Sequence, residues 1–221
     1  PTHRIPFNDL RTATETIDRV AGRLAALIIE PMIGAGGCIP ADADFLKGLR
    51  EATEAVGALL LFDEVMTSRH GPNGLHGMYG LRPDLITFGK YLGGGMSFGA
   101  FGGRADILDR FDPSRPDAWP HAGTFNNNVF SMTAGLVGLG EIYTPEVAQT
   151  FFAQGERRRE KLAESLSGLQ LPVHVTGMGS MMALHFGLKA PRAPYSPPPG
   201  YSDLCEPVSY THLRAHETAT Y

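Results

Sequence analysis

Three short apolar runs punctuate the first ninety residues, and each stops at a polar group. Residues 24–29 (LAALII) end at Glu30-Pro31, residues 58–62 (ALLLF) end at Asp63, and residues 84–88 (DLITF) lead into Gly89-Lys90. Continuous runs of this length suit strands buried on both faces of a parallel sheet. Between the first two, Pro40 and Asp42 introduce an amphipathic helix to about residue 56. Its Leu46, Leu49, Ala52, Thr53 and Val56 fall on one face at three-four spacing. A short polar helix is expected over 11–22, a Gly/Pro/Asn loop over 68–80, and a turn at Gly93-Gly94-Gly95. A fourth short strand is expected over 97–101 and a Pro-rich loop over 112–123. Apolar helices follow over about 128–143 and 146–167, the second opened by Thr144-Pro145-Glu146. Residues 173–186 alternate as a strand and hairpin.

Strand, helix, strand, loop, strand, strand, helix is the order of an α/β doubly wound sheet. Ligands of such sheets sit beyond the carboxyl ends of the strands, which selects Glu30, Asp63 and Lys90. Composition narrows the picture further. The chain has 221 residues, 43% hydrophobic and 19% charged, enough for one good core or two small ones. A net charge of −4 gives no basic field for nucleic acid or an acidic membrane. No run reaches the roughly 18 apolar residues of a membrane span. Cys38 and Cys205 make neither a disulfide framework nor a metal site, and a cytoplasmic protein is expected. His212 and His216 stand four apart in a polar tail with no third ligand. No metal is expected.

Three residues carry candidate chemistry. Asp63 follows four apolar residues, so its carboxylate is costly there without donors or a cation. It reads either as a cap at a strand end or as a carboxylate that keeps a pyridine nitrogen protonated. Lys90 stands one glycine past a strand. Most lysines are solvated, but a sheltered amine that loses its proton can form a Schiff base. The nearby Gly89, Gly93, Gly94 and Gly95 admit close backbone approach to a ring. Thr124 reads as a helix N-cap or, with free N–H groups beside it, as an anion contact.

The combination is more specific than its parts. ALLLFDEVMTSR (58–69), PDLITFGKYLGGGMSFGAFGG (83–103) and HAGTFNNN (121–128), with IIEPMIGAGGCIPA (28–41), resemble the class III aminotransferases that use pyridoxal 5′-phosphate (PLP). Within them the set resembles the glutamate-1-semialdehyde aminomutase-like branch, over about residues 5–188. The resemblance implies the large domain of a fold type I PLP-dependent transferase: a mainly parallel sheet with helices on both faces. It implies Lys90 as the Schiff-base lysine, Asp63 as partner of the ring nitrogen and Val65 as packing against the ring. It implies that Thr124 binds the cofactor phosphate of a neighbouring subunit, hence a homodimer with shared sites. Glu30, Ser97 and Arg69 are carried as further pocket residues. The substrates implied are a small amino acid and a keto acid.

The chain departs from that pattern in places. Ala35 stands where many relatives have Glu or Asn five residues after the Glu of the Glu-Pro motif. Gly-Gly-Gly-Met-Ser replaces the Gly-Gly-Gly-Leu-Pro of the aminomutases, and the "MTSR" and "GGGMSFGAFGG" segments look more like relatives that transaminate β-amino acids. A transaminase is therefore expected ahead of an aminomutase. Residues 1–168 are expected to be part of the large domain and 169–188 the start of a small C-terminal domain. Residues 189–221 match poorly, and from about Leu204 (LCEPVSYTHLRAHETATY) they read as foreign sequence. The phosphate loop and the aromatic that stacks on the ring are expected upstream of Pro1, so the fragment alone is expected to be inactive. A cofactor-free binding domain is disfavoured because Lys90 and Asp63 are both present. A nicotinamide dehydrogenase is disfavoured because Glu30-Pro31 stands where a glycine fingerprint is needed.

Overall fold

The computed structural model describes residues 2–169, 172–187 and 189–194. The expectations for Cys205, His212, His216 and the sequence beyond Leu204 lie outside the described residues. The first helix, α1 (Leu10–Val20), starts because Asp9 caps it: its carboxylate accepts from the Thr12 amide at 3.0 Å and from the Thr12 hydroxyl at 2.7 Å. Ala13, Thr16, Ile17 and Val20 form its buried stripe. The next helix, α2 (Ala43–Ala55), buries Phe45, Leu46, Leu49 and Thr53, close to the face read from the sequence.

Both helices pack on one face of a four-stranded sheet. Its strands are β1 (Ala26–Ile29), β4 (Leu59–Asp63), β5 (Leu85–Gly89) and β6 (Gly99–Gly103), in that spatial order. Between β1 and α2 lies a two-stranded ribbon of β2 (Met32–Ile33) and β3 (Ile39–Pro40). The core on the helix face joins Ala13 and Ile17 to Phe45, Leu46 and Leu49, and to Leu27, Leu60 and Phe62 from the strands. The expectation of strands buried on both faces fails for β1. Leu27 is buried against the helices, but Ile28 on the opposite face is 64% exposed. Among the described residues no helix covers it.

β1, β4 and β5 are parallel, as expected, but β6 runs antiparallel to β5. The connection explains this. Residues 90–98 are too few for the crossover of about a dozen residues or more that a parallel neighbour requires. The Gly/Pro/Asn loop after β4 contains the short helix α3 (Gly74–Met78), and α4 (Ala105–Leu108) follows β6. α5 (Val129–Val137) then continues as a wider π-type turn through Ile142, and α6 (Pro145–Ser167) starts at the Thr144 cap. The hairpin of β7 (Val173–Met178) and β8 (Met181–Phe186) forms a separate two-stranded sheet, and Glu156 of α6 accepts from the Gly179 amide at its turn. Among the described residues, no helix is long and apolar enough to cross a membrane, and no group of His, Cys, Asp and Glu could hold a metal ion.

One carboxylate holds the sheet in register. Asp84 precedes β5. Its Oδ2 accepts from the Leu60 amide of β4 at 2.7 Å and from Arg50 of α2 at 2.8 Å, and its Oδ1 accepts from Arg104 at 2.9 Å. Burial pushes the carboxyl up, but the Leu60 amide and the two guanidinium groups outweigh it and hold it below the usual range. Asp84→Ala is expected to cost about 3–5 kcal/mol, because it strands the buried Leu60 amide and the largely buried Arg50 guanidinium, while Arg104 keeps Asp106. Chemical denaturation of the variant beside the wild type measures this.

His70 sets a pH limit. It is 2% exposed, lies edge-on to Phe152 with ring centroids 5.6 Å apart, and its Nε2 has no hydrogen-bond partner among the described residues. Burial first, then the neighbouring Arg69 charge, hold its pKa down to about 4, against partial opposition from Glu64 and Glu156. The unfolded chain binds this proton near pH 6.5 and the folded chain does not. Stability is therefore complete above 6.5 and falls as the pH drops towards 4, by up to about 3 kcal/mol. His70→Leu is expected to flatten the difference in unfolding midpoint between pH 7.5 and pH 5. An unchanged slope would show that other groups carry the effect.

Candidate active site at the carboxyl ends of the strands

The parallel register of β4 and β5 sets Asp63 opposite Thr87, so the two side chains stand on one face. Asp63 is half-buried, and its Oδ1 accepts from the Val65 amide at 3.1 Å. It makes no ion pair among the described residues. The Thr87 hydroxyl beside it is buried and has no hydrogen-bond partner among the described residues. Among the described residues the carboxylate has one amide donor and the buried hydroxyl has no partner, so both can take a donor from outside the protein.

Val65 follows two residues after Asp63 and folds over the end of β5. A Cβ at Gly89 would lie 3.4 Å from Val65 Cγ1 and 3.2 Å from the Phe98 carbonyl oxygen, so only a residue without a side chain leaves this approach unstrained. Lys90 comes next, at φ +53°, a left-handed backbone that side-chain-bearing residues seldom adopt. Strain of this kind persists where surrounding contacts hold it. Here the adjacent Tyr91 is clamped. The Arg69 guanidinium sits over its ring at 5.0 Å, and the Tyr143 ring meets it edge-on at 5.0 Å. The Tyr143 hydroxyl donates to the Arg69 carbonyl at 2.6 Å. Lys90 itself is exposed and takes part in no ion pair or hydrogen bond among the described residues.

The remaining sequence-derived residues divide. Glu30, just past β1, is committed to its own loop: its Oε2 accepts from the Gly34 amide at 3.0 Å. Met66 Sδ presses on Gly34, which links that loop to the segment carrying Asp63. Arg69 donates from Nε to the Met66 carbonyl and has no carboxylate partner among the described residues. Ser97 is exposed in the connection to β6 and makes no described hydrogen bond. Thr124 is not the helix cap that one reading gave it. α5 starts at Val129, capped by Asn128, whose side chain accepts from the Ser131 amide at 3.2 Å. Thr124 lies earlier, in an exposed turn, with no described contact to Asp63 or Lys90.

A cavity of about 910 Å³ opens beside this edge, with Ser68, Asn73, His76, Phe88 and Tyr91 in its wall. Asp63 and Lys90 do not line it. Asp63 and Lys90 stand instead at the carboxyl ends of β4 and β5. Sequence reasoning overlooked Thr87 and Glu64. Thr87 was findable from the register once β4 and β5 were paired in parallel. Glu64 was findable from strand alternation, which puts the second acid of Asp63-Glu64 on the opposite face from the first.

Chemically, the unpaired Asp63 carboxylate suits a protonated aromatic nitrogen, and the free Lys90 amine suits capture of an aldehyde. Comparison with known proteins identifies the family. The model of the family "Aminotransferase class-III" matches residues 4–198. A β-phenylalanine transaminase of Variovorax paradoxus is 51% identical over 182 residues, covering 82% of this chain and 42% of the relative. A glutamate-1-semialdehyde 2,1-aminomutase of Pyrobaculum arsenaticum is 40% identical over 215 residues, covering 97% of this chain and 49% of the relative. The crystal structure of a β-phenylalanine aminotransferase from Variovorax paradoxus superposes with a TM-score of 0.83 at 50% identity, over 86% of this chain and 44% of that one. An aminomutase from Pseudomonas aeruginosa gives 0.76 at 28% identity, over 87% of this chain and 44% of that one. The chain thus spans less than half the length of these relatives. The fold is that of the fold type I PLP-dependent aminotransferases, and the chain belongs to the class III aminotransferase family.

Proposed function

We propose that the protein carrying this chain is a PLP-dependent transaminase that moves an amino group from an amino acid, of the β-amino class, to a keto acid. The observation that carries this reading is the pairing of an unpaired acid at the end of β4 with an uncommitted lysine at the end of β5. The residues fit the cofactor: Thr87 offers a buried hydroxyl next to Asp63 with no partner among the described residues, and Val65 lies against Gly89, the residue before Lys90. When bound, PLP supplies an electron sink for charge left on the substrate carbon. Asp63 holds the proton on the ring nitrogen. Lys90 Nζ would hold the cofactor at rest and, once released, would move a proton off and onto the substrate carbon. Arg69 and Tyr143 hold Tyr91, and with it the backbone of Lys90, in place.

Two further points belong to this reading. The active unit is a homodimer in which Thr124 contacts the cofactor phosphate of the other subunit. Its support is a solvent-facing apolar group just after Thr124: Phe125, Val129, Phe130 and Leu136 are each more than 70% exposed. Residues 1–168 belong to the cofactor-binding large domain, the β7–β8 hairpin opens a smaller one, and the cytoplasm is the compartment.

The aminomutase reading has the support of the Pyrobaculum relative, and it separates cleanly in solution. The full-length protein is incubated with β-phenylalanine and 2-oxoglutarate, and separately with glutamate-1-semialdehyde alone. Glutamate in the first mixture is the expected result. 5-Aminolevulinate in the second, with no glutamate in the first, would replace transaminase by aminomutase. In the same assay Asp63→Asn is expected to lower kcat by about 10²–10³-fold, the scale of one preorganised electrostatic group. A rate near that of the wild type would remove Asp63 from the role given to it.

A further inference from the structure

Glu64 is the next residue after Asp63 and is fully buried. A carboxylate in that position is tolerated only if donors surround it. Four do. Its Oε2 accepts from the Leu75 amide at 2.7 Å and from the Thr67 hydroxyl at 3.2 Å. Its Oε1 accepts from the His76 amide at 2.8 Å and faces His76 Nδ1 at 2.7 Å. Two of these donors are free amides in the first turn of α3, where a helix leaves N–H groups unpaired. The loop is shaped to receive the carboxylate. Gly74 adopts φ +66°, and a Cβ there would lie 2.6 Å from Glu64 Oε2.

The backbone of Glu64 is tied as well. Its amide donates to the Thr87 carbonyl at 3.1 Å, carrying the β4–β5 ladder one residue past Asp63, and its carbonyl accepts from the Ser68 amide at 3.0 Å. One residue therefore joins three things: the strand end bearing Asp63, the strand bearing Thr87 and leading into Lys90, and the loop bearing Arg69. Arg69 in turn lies over Tyr91, the residue after Lys90.

We propose that Glu64 is a positioning residue for the cofactor site, holding Asp63 and, through Thr67, Arg69 and Tyr91, the strained backbone of Lys90. The inference rests on the reading that Lys90 and Asp63 receive PLP. It adds a residue that touches neither cofactor nor substrate.

The test compares full-length wild type with Glu64→Gln, which keeps the volume but sets an NH₂ against amide donors. The cofactor is removed and PLP added back. The rate at which borohydride-trappable cofactor appears on Lys90 is followed by peptide mass spectrometry, and kcat and KM are then measured on the reloaded enzyme. A fall of about tenfold or more in both capture rate and kcat is expected, with KM for the amino donor changed less than about twofold, as misplacement of reacting groups predicts. Glu64→Asp, which keeps the charge, is expected to recover part of the capture rate. Folded Glu64→Gln protein with wild-type capture and kcat overturns the proposal. If Glu64→Gln does not fold, Thr67→Val, which removes a single donor, decides. Slower capture in the folded variant supports the proposal. Unchanged capture overturns it, as does failure of both variants to fold, since Glu64 then serves the fold alone. Absence of any tag on Lys90 in the wild type strikes instead at the reading beneath the proposal.

Discussion

The parallel pairing of β4 with β5 is the constraint on which the rest of the site depends. Asp84 locks that pairing by accepting from the Leu60 amide, and Glu64 extends it past the strand end by donating to Thr87. With the register fixed, Asp63 must stand beside Thr87, and the chain must leave β5 at Gly89. A slip of one residue would turn Asp63 towards the helix face, where Leu60 and Phe62 pack against α1 and α2. The carboxylates of Asp84 and Glu64 are thus committed to geometry, and Asp63 has no charge partner among the described residues.

The same economy separates two neighbouring acids. Asp63 and Glu64 follow one apolar run, yet strand alternation sends them to opposite faces. Glu64 meets two helix-terminal amides, a hydroxyl and an imidazole, and it organises the loop. Asp63 meets one amide and stays available. Lys90 shows the complementary arrangement. Its backbone is strained, and the contacts that hold it fall on Tyr91, leaving the amine free.

The apolar runs made β1, β4 and β5 legible, because parallel strands need no alternating pattern, and their polar stops marked Glu30, Asp63 and Lys90. The α2 face was legible from its three-four spacing. Other features were set by partners far along the chain. The direction of β6 follows from the short connection before it, which a strand count does not weigh. The exposure of Ile28 depends on which face the helices choose. The start of α5 at Asn128 could not be told from an earlier start at Thr124, since either residue can cap a helix. The surroundings of Glu64 and Thr87 require the register, and their residue types alone do not reveal them. The motif resemblance names Asp63, Val65 and Lys90, and in the structure these stand at or just past the carboxyl ends of β4 and β5.

The central claim is that Lys90 is the amine that holds the cofactor. The direct measurement is borohydride reduction of the PLP-loaded full-length protein, followed by proteolysis and mass mapping of the tagged lysine. The account predicts the tag on the peptide containing Gly89-Lys90-Tyr91, and its loss in Lys90→Ala. A tag on Lys47 or Lys161 in the wild type, or one that survives in Lys90→Ala, would contradict it.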